Sequence, residues 1–285
     1  MDIVDAQIHI GPGKIEETLS AMDALGIHAV LIDEYWFGRK MGDPSYQIGP
    51  ALRPIQPTAE LAANTHPDRF SYLVRVDRND RDLAAIIRLA GDAPYARAIR
   101  VSPGMSPIEA QAFAEGGYDA VCAGACNAGL PLFIFAPAQP GSFVQYARKY
   151  PALKIIVDHC GLLSTSMRKI TGGGDAPFDA AVQSAAFDEV LALSELPNIA
   201  LKWAHAPAMF ETPGYPGEGL TPYLRKALDL FGADRVMWAS DVSANQTGES
   251  WAELLFGIRA NPGLSPAECD AVLGGTARAW LNWPG

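Results

Sequence analysis

The sequence predicts an α/β fold: eight strand–helix units closed into a (β/α)8, TIM-type barrel. Three observations point there. Short apolar runs alternate with longer stretches of helical periodicity along the whole chain. The runs are mostly continuous hydrophobics, as expected of parallel strands buried on both faces. Eight units at about 35 residues each match the roughly 250 residues of a closed barrel. An open, doubly wound sheet is the competing reading. The turn after the first run is HIGPGK, however, and lacks the G-x-G-x-x-G spacing with which such sheets usually announce themselves.

The strands are read in order as IVDAQIH (Ile3 to His9), IHAVLID (Ile27 to Asp33), FSYLVRV (Phe70 to Val76), ARAIRV (Ala96 to Val101), PLFIFA (Pro131 to Ala136), LKIIVDH (Leu153 to His159), NIALKWA (Asn198 to Ala204) and RVMWAS (Arg235 to Ser240). Lys14 to Leu25 and stretches such as DRDLAAIIRLA, FVQYARKY and FDEVLALSEL carry apolar residues at helical spacing between them. Residues 1–285 read as a single domain, since no low-complexity linker divides them. Two closing helices are expected at about 265–282. The first is capped by Ser265, with Pro266 at its first position and Glu268 in capping-box spacing. Tyr35 to Pro57, Ser164 to Pro177 and Ala206 to Gly219 are expected as long loops at the C-terminal ends of strands, where barrels build their sites. The triple glycine at 172–174 reads as a flexible turn.

Hydrophobic residues make up 49% of the 285 and charged residues 19%, enough for a full core. Lys plus Arg number 22 against 32 Asp plus Glu, a net charge of −10. That balance lacks the basic footprint of a nucleic-acid or anionic-membrane binder. No apolar run approaches the roughly 20 residues of a membrane span. The N-terminal residues have no signal-peptide pattern, and the four cysteines (Cys122, Cys126, Cys160, Cys269) form no CxxC pair. Reduced thiols in a cytoplasmic protein are the expectation. The expected partner is a small molecule, with homo-oligomerisation left open.

Polar residues where strands run out into their loops are the catalytic candidates of a barrel. The first strand offers Asp5, Gln7 and His9, spaced by two and expected to point inward together, with Ile8 and Ile10 facing the helices. The fourth offers Arg100, the sixth Asp158 and His159, the seventh Lys202 and, just beyond it, His205, and the eighth Ser240 and Asp241. Arg100 lies in an apolar run and needs a carboxylate partner, either internal or on the substrate. The favoured expectation is a substrate carboxylate. His28 and His66 read as surface or capping residues, Cys122 and Cys126 as packing thiols, and Cys160 as a weak nucleophile candidate beside His159. There is no G-x-S-x-G, no H-E-x-x-H and no Walker loop.

The motifs IVDAQIH, IIVDHCG, RVMWASDVS and GGTARAWL, in that order over the whole chain, resemble the amidohydrolase-related family of barrels, the amidohydrolase 2 branch, and most nearly its 2-pyrone-4,6-dicarboxylate lactonase-like group. Metal-dependent members carry an HxH pair on the first strand, a His on the fifth, often one on the sixth, and an Asp on the eighth. This chain has Gln7 in place of the first His and Phe135 where the fifth-strand His would stand. The resemblance therefore implies a metal-independent hydrolase with no cofactor. A divalent ion such as zinc on His9, His159 and Asp241 is the alternative.

The expected activity is hydrolysis of a lactone or related carboxylic ester of a small acidic metabolite. Catalytic roles fall to Asp241, His159 and His9, and substrate binding to Gln7, Arg100, Lys202 and His205. Asp241 acts as base if burial raises its pKa and as a water-orienting carboxylate otherwise. The alternatives are a metal-dependent amidohydrolase, a decarboxylase-like member, or a barrel that binds a small molecule without turnover.

Overall fold

The structure is a computed structural model that describes residues 1–35, 44–170, 176–212, 217–242 and 249–284. Its strands are β1 (Val4–Ile8), β2 (Ala29–Ile32), β3 (Ser45–Ile48), β4 (Ala51–Pro54), β5 (Phe70–Arg75), β6 (Ala96–Val101), β7 (Leu132–Ile134), β8 (Ile155–Val157), β9 (Ile199–Ala204) and β10 (Val236–Ala239). Eight of them form one parallel sheet in the order β1-β2-β5-β6-β7-β8-β9-β10. The sheet curls back on itself. Just beyond β10, the Asp241 N–H donates to the Gln7 carbonyl at 2.9 Å, and the His9 N–H donates to the Val242 carbonyl at 3.1 Å. The eight barrel strands are those read from the apolar runs, most of them a residue or two shorter at each end.

Strand alternation divides the apolar residues between two cores. Val4, Leu31, Leu73, Phe133, Ile156 and Met237 fill the barrel together with Trp280, Leu281 and Trp283 from the C-terminal segment. Ile8, Ile32, Ile99, Ile155, Leu201 and Trp238 face the helices instead. Near its C-terminal end the barrel interior changes from apolar to charged, and Gln7, Asp33, Arg100, Asp158 and Lys202 are all buried there.

The stretch expected as one long loop after the second strand holds an antiparallel hairpin, β3–β4. Its strands are four residues long and largely exposed, so they lack the apolar run that marks the others. The hairpin is tied down by Arg53, whose guanidinium donates to Asp80 at 2.7 and 2.6 Å and to Asp82 at 2.6 Å, and by the Leu52 N–H on Asp77 at 2.9 Å. The expected loops after the sixth and seventh strands begin as short helices, Thr165–Ile170 and Ala206–Phe210. The triple glycine at 172–174 lies outside the described residues. Among the described residues no helix is long and apolar enough to cross a membrane.

The helix Pro266–Asp270 carries the capping box between Ser265 and Glu268. It leads through a wide turn, Ala271–Gly275, to the helix Thr276–Trp280. At Gly274 the turn meets the chain entering β1, and an added Cβ would lie 1.8 Å from the Asp2 carbonyl oxygen. That neighbour is backbone and cannot rotate away. Gly274→Ala is therefore expected to cost at least about 1–3 kcal/mol, read as a lower urea midpoint with an unchanged slope.

Candidate active site

Two tiers of polar side chains stand one above the other at the C-terminal mouth. The lower tier is a network of charges. Asp33, just after β2, receives Arg75 from β5 (Nη2 at 2.7 Å), Arg100 from β6 and the Gln7 amide nitrogen at 3.0 Å. Asp158, just after β8, receives Arg100 Nε and Nη2 at 2.9 and 2.7 Å, and also the ammonium of Lys202 from β9. The same ammonium donates to Gln7 Oε1. Burial alone pushes both carboxyls up, but the cations outweigh it and hold Asp33 and Asp158 well below the ordinary carboxylate range. Burial likewise pulls the Lys202 ammonium below its usual value, with Asp158 opposing.

The upper tier is centred on Asp241. Its Oδ1 lies 2.7 Å from His9 Nε2, and its Oδ2 lies 2.9 Å from both His159 Nε2 and His205 Nε2. Each of the two side rings is held from behind. His9 Nδ1 faces the Asp33 carbonyl at 2.7 Å, and His159 Nδ1 faces Asp158 Oδ1 at 2.9 Å. Phe135 packs edge-on against His159 at 5.1 Å and Tyr35 edge-on against His9 at 5.6 Å, while His205 stacks on His159 at 5.7 Å. Three of the four residues have left-handed backbones: φ is +50° at His159, +49° at His205 and +55° at Asp241. Non-glycine residues adopt that region at a cost, of order 1–3 kcal/mol each, and such strain gathers at functional sites. Burial raises Asp241, yet His9 and His159 outweigh it and keep the carboxyl far below its usual range. At His159 burial lowers the pKa, but Asp158 and Asp241 raise it further.

The structure brings together the seven residues assigned roles from the sequence, though not all in the expected ones. Arg100 does not wait for a substrate carboxylate, because its guanidinium is engaged by Asp33 and Asp158 inside the barrel. Gln7 and Lys202 are fully buried and bonded to each other, so they support the site from below instead of touching a substrate. His205 joins the imidazole cluster on Asp241. Asp5 parts company with Gln7 and His9: pairing with β2 is irregular between Asp5 and Ile8, and Asp5 turns to the seam. There it accepts from the Ser240 N–H at 2.9 Å and the Trp251 indole at 2.8 Å. Cys160 is fully buried and its thiol is pushed up to about 12, so it is no nucleophile. His28 is a cap, accepting the Ile3 N–H at 3.1 Å. Asp33, Arg75 and Tyr35 are participants that strand-end reasoning missed. Asp33 carries the same signal as the others, a carboxylate closing an apolar run.

A profile of the amidohydrolase family matches residues 48–283. The chain belongs to the amidohydrolase family. It is accordingly an enzyme of the hydrolase class. No curated protein matches it. Among solved structures it is similar to an amidohydrolase from Burkholderia multivorans, crystallised once with HEPES and once with zinc bound; the HEPES form is 18% identical with a TM-score of 0.74, each chain covered over 100%. A putative 2-pyrone-4,6-dicarboxylic acid hydrolase from Pseudomonas putida is 17% identical with a TM-score of 0.67, over 100% of this chain and 98% of that one. A 5-carboxyvanillate decarboxylase from Sphingomonas paucimobilis is 15% identical with a TM-score of 0.61, over 99% of each. These likenesses are of fold.

The family also raises the question of a metal. His159, His205 and Asp241 bring donor atoms within 4.8 Å of one another, and His9 Nε2 reaches the same carboxylate. Rings held at Nδ1 by a carbonyl or carboxylate are the usual support of metal-ligating histidines. The residues present therefore fit a divalent ion.

Two outcomes follow from the lower tier and the seam. Arg100→Met strips two buried carboxylates of their shared cation, so it should destabilise the protein by about 3–5 kcal/mol, measured by chemical unfolding at neutral pH. Asp5 behaves oppositely, because burial lifts its pKa to about 6. A folded-state pKa above the unfolded value stabilises below the unfolded pKa, and that stability is lost as pH rises through 6. Between pH 4 and 7 the stability of the protein relative to Asp5→Asn should fall by about 2 kcal/mol. Parallel unfolding curves at each pH check the sign.

Proposed function

We propose that this amidohydrolase hydrolyses a lactone or related carboxylic ester of a small acidic metabolite, with Asp241 at the reacting centre. The observation that carries the reading is the convergence of three imidazoles on one deeply ionised carboxylate at the barrel mouth. The substrate class is supported by the name of the Pseudomonas putida neighbour, since a 2-pyrone dicarboxylic acid is a cyclic ester bearing carboxylates.

Asp241 is too weakly basic to deprotonate free water, and its first task is to orient a water by accepting its hydrogen bond. As the water oxygen bonds to the acyl carbon its proton becomes far more acidic, and Asp241 takes it at that point. The carbon–oxygen bond of the ring then breaks, and the leaving oxygen receives the proton from Asp241, a downhill return to an alkoxide. Positive charge is required opposite the carbonyl oxygen while it carries the developing negative charge. A divalent ion held by His9, His159, His205 and Asp241 would supply that electrophilic polarisation when bound. Asp158 and the Asp33 carbonyl fix the orientations of His159 and His9 throughout. Phe135 and Tyr35 shield the cluster on its flanks.

Asp241→Asn keeps the shape and removes the charge, so kcat on a hydrolysable lactone should drop about 10²–10⁴-fold. A folded variant, verified by circular dichroism, that turns over at the rate of the parent would remove Asp241 from the mechanism.

A further inference from the structure

We infer that Asp5 is a positioning residue: through the Gln7 and Ser240 peptides its carboxylate fixes the distance at which Asp241 meets His9, and the Trp251 indole holds that carboxylate in place. The inference rests on the reading of Asp241 as the reacting group and is tested apart from it.

Asp5 is fully buried on β1. Its Oδ1 accepts two backbone N–H groups, from Gln7 at 3.2 Å and from Ser240 at 2.9 Å. Gln7 stands two residues before His9, and Ser240 one residue before Asp241. One oxygen therefore grips both strand ends that carry the facing pair, whose Nε2 and Oδ1 lie 2.7 Å apart.

The grip matters because of the backbone beyond it. Asp241 has φ of +55°, a conformation that persists in an aspartate where the surroundings over-determine it. Each N–H of the turn Ser240–Val242 is held. Ser240 donates to Asp5, Asp241 to the Gln7 carbonyl at 2.9 Å, and Val242 to Ser240 Oγ at 3.2 Å. The Val242 carbonyl in turn accepts the His9 N–H at 3.1 Å. Two of these bonds run backbone to backbone and would form with any side chains, and one stays within the turn. The bond to Asp5 is what this sequence adds across the seam.

Trp251 sets the rotation of the carboxylate. It opens the helix Trp251–Arg259, whose start is fixed by the capping box between Ser250 and Glu253. Its indole N–H donates to Asp5 Oδ2 at 2.8 Å and so turns Oδ1 to the two peptides. A carboxylate accepts on both sides, whereas an amide in its place would set its nitrogen against the indole N–H.

The test is a spectrum taken without substrate. Protein labelled with 15N in its histidine rings gives signals from five histidines, and those of His9 are the ones lost in His9→Gln. Asp5→Ala should move the His9 signals and leave those of His66 in place. Asp5→Asn and Trp251→Phe each lose the indole bond but keep an oxygen on the peptides, so they should move them less. Phe113→Leu, which loosens ring packing on Tyr118, Phe143 and Tyr146, should leave them where they are. On a hydrolysable lactone, kcat should fall at least tenfold in Asp5→Ala with KM little changed, and Asp5→Asn should recover most of it. His9 signals that stay in place in Asp5→Ala, or that move as far in Asp5→Asn or Phe113→Leu, overturn the inference. If Asp5→Ala does not fold, Trp251→Phe decides: a shift of His9 supports the role, and none overturns it. A parent that hydrolyses no lactone, with the His9 signals moving as expected, would sink the hydrolytic reading and leave Asp5 in its place. An active parent with unmoved signals would do the reverse.

Discussion

One carboxylate joins the two halves of the site. Asp158 takes the guanidinium of Arg100 and the ammonium of Lys202 on the side facing the barrel, and holds His159 on the side facing the mouth. Each partner alone would be a costly buried charge. Together they satisfy one another's hydrogen-bonding capacity where water does not reach, and removing any one leaves the rest uncompensated. The orientation of the His159 ring is thus coupled to the integrity of the barrel interior.

The fold was legible because parallel strands buried on both faces are written as uninterrupted apolar runs. Ala96–Val101 has the same ends in the sequence reading and in the structure. The hairpin β3–β4 escaped notice because it is held by Arg53 and its acidic partners, and long-range ion pairs leave no periodic trace. The site was legible as a set of residues and much less so as a set of roles. A polar residue at a strand end shows where chemistry is possible, but whether it meets substrate or another side chain depends on its height in the barrel. Arg100 and Lys202 lie too deep. Asp5 was misplaced by an irregular pairing within β1, which one sequence read by strict alternation cannot reveal.

The electrostatics of the mouth follow from this layering. Asp33 and Asp158 are kept ionised by the cations around them and in turn hold Arg100 charged, while burial pulls the Lys202 ammonium below its usual value with Asp158 opposing. Asp5 at the seam moves the other way, lifted by burial to about 6. A carboxyl that burial makes easier to protonate sits where the sheet closes, and one that resists protonation sits among the imidazoles at the mouth.

The seam between β1 and β10 also bears on how the molecule is assembled. The Asp5 carboxylate and the Ser240 N–H that it accepts are 235 residues apart. During synthesis β1 emerges first among the barrel strands and its final partner last, so one of its edges stays open while nearly the whole chain is made. An open strand edge invites pairing with another chain, and charged residues on it discourage such pairing. With Asp5 and Gln7 set among the apolar residues of β1, the polar positions that later brace the seam and the site make that waiting edge a poor template for aggregation.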